Sequence, residues 1–194
     1  MFRNIDDATD RLIEELSDLD QSWLLVPISE NGNRIADRIS DILGIKSQRL
    51  FIQPIFCQKN IDCEIGMINE FEDLSFDEVL KKHFEVENEI LEKSIQIIYN
   101  HKLLPEIKKC REKLFDIPRN ISKVLIIDET IETGLRMEMA IETLNRFQLD
   151  NISIATPIIP EQMFFFFENS VKNIFYVDKV PFYTDVVDYY IEER

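Results

Sequence analysis

Five short apolar runs, WLLVPI (23–28), QRLFIQPIF (48–56), KVLIID (123–128), NISIATPII (151–159) and NIFYV (173–177), alternate with stretches of helical periodicity. That alternation constrains the fold more than any other feature. Apolar runs without polar alternation fit strands buried on both faces, and strands alternating with helices form a mostly parallel sheet. Ile5, Ala8, Leu12, Ile13 and Leu16 predict a first helix, with Asp6 or Asp7 as its N-cap. A polar loop, SENGN, stops the first strand. Ile35, Ile39, Ile42 and Leu43 line the helix that follows, and Gly44 ends it. Pro54 marks an edge or a bend in the second run, and Pro105 divides the charged helical stretch 76–115 into two helices. Pro160 falls at the first position of a short helix containing Phe164 to Phe167. These four rings cannot share one helix face, so at least one is expected to be exposed.

With 194 residues the chain is long enough for one sizeable core. Acids outnumber bases 37 to 22, giving a net charge of −15. Such a surface repels nucleic-acid phosphates unless a basic patch is concentrated somewhere, and the Lys81-Lys82 and Lys108-Lys109 pairs sit among glutamates. No apolar run reaches the roughly 20 residues of a membrane helix. The acidic N-terminus lacks the apolar stretch of a secretory signal, so a soluble cytoplasmic protein is expected. Cys57, Cys63 and Cys110 form neither a disulfide framework nor a metal-ligand spacing, and His83 and His101 are isolated.

Chemistry concentrates in VLIIDETIETG, Val124 to Gly134. Ligands of open parallel sheets collect outside the carboxyl ends of strands, where Asp128 and Glu129 fall. Gly134 allows a tight turn into the next helix. Turn amides at a helix start make an anion-binding concavity, with the Thr130 and Thr133 hydroxyls as further donors. Acids beside an anion site suit a sugar phosphate, whose vicinal hydroxyls donate to the carboxylates while the turn holds the phosphate. A P-loop is absent, and the four glycines form no GxGxxG. VLIIDE also matches the first strand of a phosphoacceptor receiver domain, but too little chain follows Gly134 to complete one.

An apolar strand, an acid pair, three residues and Thr-Gly together resemble the signature of the type I phosphoribosyltransferases. LLVPISENGNRIAD is similar to the first strand, diphosphate loop and helix of small bacterial members of unassigned substrate. CEIGMINE resembles their segment after the flexible loop, and FYTDVVDYY their C-terminal aromatic-acidic piece. The resemblance therefore spans nearly the whole chain. It implies one α/β domain, a Rossmann-like parallel sheet flanked by helices, with a small helical hood from about 1–18, 77–115 and 178–194. It places Asp128 and Glu129 on the ribose hydroxyls of phosphoribosyl diphosphate (PRPP). Thr130, Ile131, Thr133, Gly134, Leu135 and Arg136 would surround the 5-phosphate. Mg²⁺ would be bound through the diphosphate, near Ser29, Glu30, Asn31, Gly32 and Lys59, with no metal site of the protein's own. A homodimer is the assembly that similar proteins suggest. Glu132 stands where purine-salvage members carry an acid proposed as base on the purine ring; simple exposure explains it equally.

Three departures bear on catalysis. The family's short Pro-Arg-Gly-Gly-like loop is here PISENGN, its basic pair after the second strand aligns with Gln53-Pro54, and the Thr or Ser after Thr-Gly is Arg136. Arg136 can still pair with a phosphate, and Lys59 and Arg34 are the cations available to replace the rest. Two functions follow from these residues. One is transfer of ribose 5-phosphate from PRPP to a nitrogenous base, purines included. The other is non-catalytic binding of a nucleotide or sugar phosphate on the same fold. A purely structural role would leave the motif without a use.

Overall fold

The computed structural model describes residues 1–192; the last two residues of the stretch expected in the hood lie outside it. Five parallel strands form the main sheet: β1 (Trp23–Pro27), β2 (Lys46–Ser47), β6 (Lys123–Ile127), β7 (Asn151–Pro160) and β8 (Ile174–Val180). Their order across it is β2-β1-β6-β7-β8. All five residues of β1 are buried, as a strand covered on both faces requires. Alternate side chains serve opposite faces. Leu24, Val26, Val124 and Ile126 join one core with Met137, Ala140 and Leu144 of helix α6 (Leu135–Leu144). Leu25, Leu125, Ile127 and Ala155 join the other.

That second core corrects one expectation. Helix α1 (Ile5–Glu15) does not belong to a hood: Ile5, Ala8, Leu12 and Leu16 pack on the sheet with Ile35, Ala36 and Ile39 of α2 (Glu30–Leu43). Its N-cap is Asn4, whose side chain accepts from the Asp7 amide at 3.1 Å, and not Asp6 or Asp7. Gly44 ends α2 in the left-handed conformation (φ 67°), as read from sequence.

A second, antiparallel sheet holds β3 (Ile52–Cys57), β4 (Asn60–Asn69) and β5 (Leu74–Phe76) in that order. The run 48–56 thus feeds this sheet rather than the parallel one, and Pro54 lies on its edge strand, where a missing N–H is tolerated. Helices α3 (Glu78–His83), α4 (Asn88–Ile98) and α5 (Leu104–Cys110) follow. Pro105 does not separate two helices. A π-helical turn, Tyr99–Leu103, carries α4 straight into α5, with the proline in its first turn. Leu91, Leu103 and Ile107 bury a third core against Phe51, Ile55, Ile65 and Ile68. Glu70, fully buried, ties the layers together: it accepts from the amides of Phe51 (3.0 Å) and Phe115 (2.6 Å) and pairs with Arg111. Pro160 ends β7 and occupies the N-cap position of α7 (Glu161–Phe167), one residue before the first helical position expected for it; Phe167 is buried while Phe165 and Phe166 are exposed.

Candidate functional site

The carboxyl ends of β1 and β6 lie side by side, and the Ile28 amide donates to the Ile127 carbonyl at 3.1 Å. Here the chain departs from the expected loop after β1. Ser29 is the N-cap of α2, its hydroxyl accepting from the Gly32 amide at 2.9 Å, so residues 30–32 are the first helical turn. Gly32 makes this possible, because a Cβ there would sit 2.6 Å from the Ile127 carbonyl oxygen and 3.2 Å from the Asp128 Cα. The helix start is pressed against the acid pair.

That pressure brings partners. The Ser29 hydroxyl donates to the Asp128 carboxylate, and the Asn31 amide donates to Glu129 Oε2 at 2.6 Å. Asp128 also accepts from the Glu129 amide at 2.9 Å and lies 3.7 Å from the Arg136 guanidinium. Both acids are buried. Burial pushes the Asp128 carboxyl above its usual range, against the opposing pull of Arg136, Ser29 and the Glu129 amide. After them, Thr130 bridges to Ile158 of β7, and the chain turns through Gly134 (φ 84°) into α6. Gly134 packs on Met163 and Phe167, so a side chain there would be both strained and crowded. Gly134 at the N-cap has no side chain to cap α6; the Thr133 hydroxyl accepts from the Leu135 amide at 3.4 Å, and the N–H groups of Arg136 and Met137 face the turn. Thr130 Oγ1 and Arg136 Nε are buried and make no hydrogen bond among the described residues, an arrangement native proteins rarely keep without a use.

These groups line a cavity of about 410 Å³ together with Glu30, Glu64, Glu132 and Tyr183. Among the described residues, five carboxylates surround it beside one cation, Arg136. Of the residues read from sequence, Ser29, Glu30, Asn31, Asp128, Glu129, Thr130, Ile131, Glu132, Thr133, Gly134 and Arg136 meet here. Glu132 lines the cavity and is exposed. Gly32 supports the wall from behind, and Leu135 opens α6. Lys59 is elsewhere: it sits at the β3–β4 hairpin, 3.9 Å from the Glu85 carboxylate.

Sequence reasoning missed a neighbouring cavity of about 470 Å³ that shares Ser29, Glu30 and Arg136 with the first. Arg49 and Lys109 line it, with Glu106 and Gln53. Arg49 lies over the Phe51 ring (4.8 Å), and its Nε is buried without a hydrogen-bond partner among the described residues. Arg49 is the second residue of the run 48–56, where its charge was readable but its direction was not. Glu64 was missed too, because nothing in CEIGMINE reveals which way its side chain points.

A five-stranded parallel sheet flanked by helices, with a small second sheet, is the α/β architecture read from sequence. Among solved structures, TT1426 of Thermus thermophilus matches 97% of this chain and 89% of its own length at 19% identity, with a TM-score of 0.70. AQ2163 of Aquifex aeolicus matches 89% of this chain and 72% of its own at 11% identity and a TM-score of 0.50. A purine phosphoribosyltransferase of Pyrococcus horikoshii matches 91% and 82% at 15% identity and a TM-score of 0.47. At such identities the likeness concerns the fold alone. No family model and no curated protein matches the chain.

Proposed function

We propose that the chain binds PRPP across the two adjoining cavities and transfers its phosphoribosyl group to a nitrogenous base. Asp128 and Glu129 accept hydrogen bonds from the ribose hydroxyls, and the 130–136 turn with the α6 N-terminus takes the 5-phosphate. The observation that carries this reading is the junction at Ser29, Glu30 and Arg136, where an acidic, hydroxyl-binding cavity opens into one bearing Arg49 and Lys109. A ligand with a sugar at one end and a diphosphate at the other matches that polarity. Both halves of PRPP then find their own chemistry.

Among the described residues, no group of three His, Cys, Asp or Glu is arranged to hold a metal ion. The proposed Mg²⁺ arrives with the diphosphate, in keeping with the ion's preference for phosphate oxygens and water. Bound there, it would lower the charge of the leaving group. In the transfer the C1–oxygen bond to diphosphate breaks, the base nitrogen bonds to C1, and the proton leaves the base for Glu132. Asp128 and Glu129 stabilise the positive charge that develops on the ribose. Tyr183, on the cavity wall, offers a ring to the acceptor base.

Non-catalytic binding of a nucleotide or sugar phosphate is the second reading. It is favoured by Glu30, which brings a carboxylate to the junction where a diphosphate would pass. Calorimetric titration separates the two. PRPP is expected to bind only with Mg²⁺, and at least about tenfold more tightly than ribose 5-phosphate, one charge-assisted contact's worth. Equal affinity for PRPP, ribose 5-phosphate and a nucleoside monophosphate, without a metal effect, would establish the binding protein instead.

A further inference from the structure

Glu64 belongs to β4, on the second sheet, yet it lines the acidic cavity on the first. A break in strand register puts it there. Ile55 faces Gly66 across the hairpin, and the next residue, Phe56, faces Glu64, so Ile65 is the extra residue of a bulge. Bulges re-aim side chains, and here Ile65 enters the hydrophobic core while Glu64 points to the phosphate turn. Its carboxylate accepts from the Thr133 hydroxyl at 3.3 Å. It thus engages a donor that the turn would offer a phosphate.

The charged and titratable groups around it come from several elements. Arg136 belongs to α6, Glu132 to the turn, Asp128 and Glu129 to the end of β6, and Glu30 to α2. Tyr183 comes from the C-terminal segment, while Asp62 and Cys63 precede Glu64 on its own strand. One cation stands against several acids. Burial above all holds the Glu64 carboxyl higher than usual; Arg136 and Thr133 oppose this, and Glu132 and Asp128 add to it.

We propose that Glu64 couples anion binding at the phosphate turn to uptake of a proton, an assignment that rests on the ribose-phosphate reading above. Ionised, it competes with the ligand for Thr133 and Arg136 and repels it. Protonated, it donates a hydrogen bond to a phosphoryl oxygen. The side chain therefore selects the conditions under which a phosphate ester enters, a task neither the acid pair nor the turn performs.

The test is calorimetric titration of ribose 5-phosphate into the wild type, Glu64→Gln and Glu64→Ala, in buffers of different ionisation enthalpy. The span from about pH 5.5 to 7.5 brackets the free phosphate's own second ionisation at about 6, which is common to all three titrations. At the upper end Glu64→Gln is expected to bind about tenfold more tightly than the wild type, converging with it at the lower end. The wild type takes up more protons per ligand than Glu64→Gln, and Glu64→Ala binds more weakly than Glu64→Gln because it cannot donate. A wild type to Glu64→Gln ratio that does not change with pH, or equal proton counts, would overturn the coupling. Equal affinity of Glu64→Ala and Glu64→Gln would overturn the donor role. If none of the three proteins binds, the ribose-phosphate reading itself has failed and takes this assignment with it.

Discussion

The two adjoining cavities are built from opposite charge. The one at the end of β6 gathers five carboxylates around Arg136, whereas its neighbour sets Arg49 and Lys109 beside Glu30 and Glu106. Carboxylates recognise hydroxyls and developing positive charge, and the cations recognise phosphoryl oxygens. A net charge of −15 said nothing of this division, because exposed charges beyond a Debye length of about 8 Å are largely screened. The local residues decide what each half accepts.

Removing the acids should break the comparison most severely. Asp128→Asn with Glu129→Gln is expected to weaken ribose 5-phosphate binding by more than about 100-fold, since each acid supports hydrogen bonds of about 1.5–3 kcal/mol. Calorimetry checks this, with circular dichroism to verify the fold; unchanged affinity would place the ligand elsewhere. Arg49→Gln with Lys109→Gln should instead weaken PRPP by about 10- to 100-fold and leave ribose 5-phosphate unaffected. A parallel loss for both ligands would merge the two cavities into one undivided site. Gly32→Ala tests the seam between α2 and β6. Overpacking of this kind costs about 1–3 kcal/mol, so a thermal melt should show a Tm lower by several degrees.

The smallest effect runs the other way. The folded-state pKa of Asp128 is raised, so the folded protein binds this proton more readily than the unfolded chain does. Ionised Asp128 therefore costs stability at neutral pH, and the cost is relieved as pH falls through the raised value. Asp128→Asn should raise Tm near neutrality, with the gain shrinking in acid. A Tm difference that is flat across pH would show that the carboxylate is not ionised against its surroundings.

The parallel sheet was legible because its strands are continuous apolar runs, and the turn because Asp128, Glu129 and Gly134 are consecutive enough to fix one local geometry. The antiparallel sheet was not. Its longest strand, Asn60–Asn69, begins with three exposed residues and carries a bulge at Ile65, so it has no uniform period to read. The start of α2 was mistaken for loop because Asn31, Gly32 and Asn33 are weak helix formers. Tertiary contact overrides that preference: Gly32 is there for close approach to β6. Arg49, Lys109 and Glu64 escaped for a different reason. They lie far from the motif in sequence, and only the packing of the second sheet brings them to it.

Ser29 and Asn31 already engage Asp128 and Glu129, so each acid has an internal partner whether or not a sugar hydroxyl arrives at its remaining acceptor sites. Sites that reject an analogue lacking one hydroxyl do so because a buried polar group is then left unpaired. Here the abandoned acid keeps its internal partner. Discrimination between ribose and deoxyribose should accordingly be shallow, and a chain with this arrangement would tolerate both sugars where a site with bare acids would insist on one.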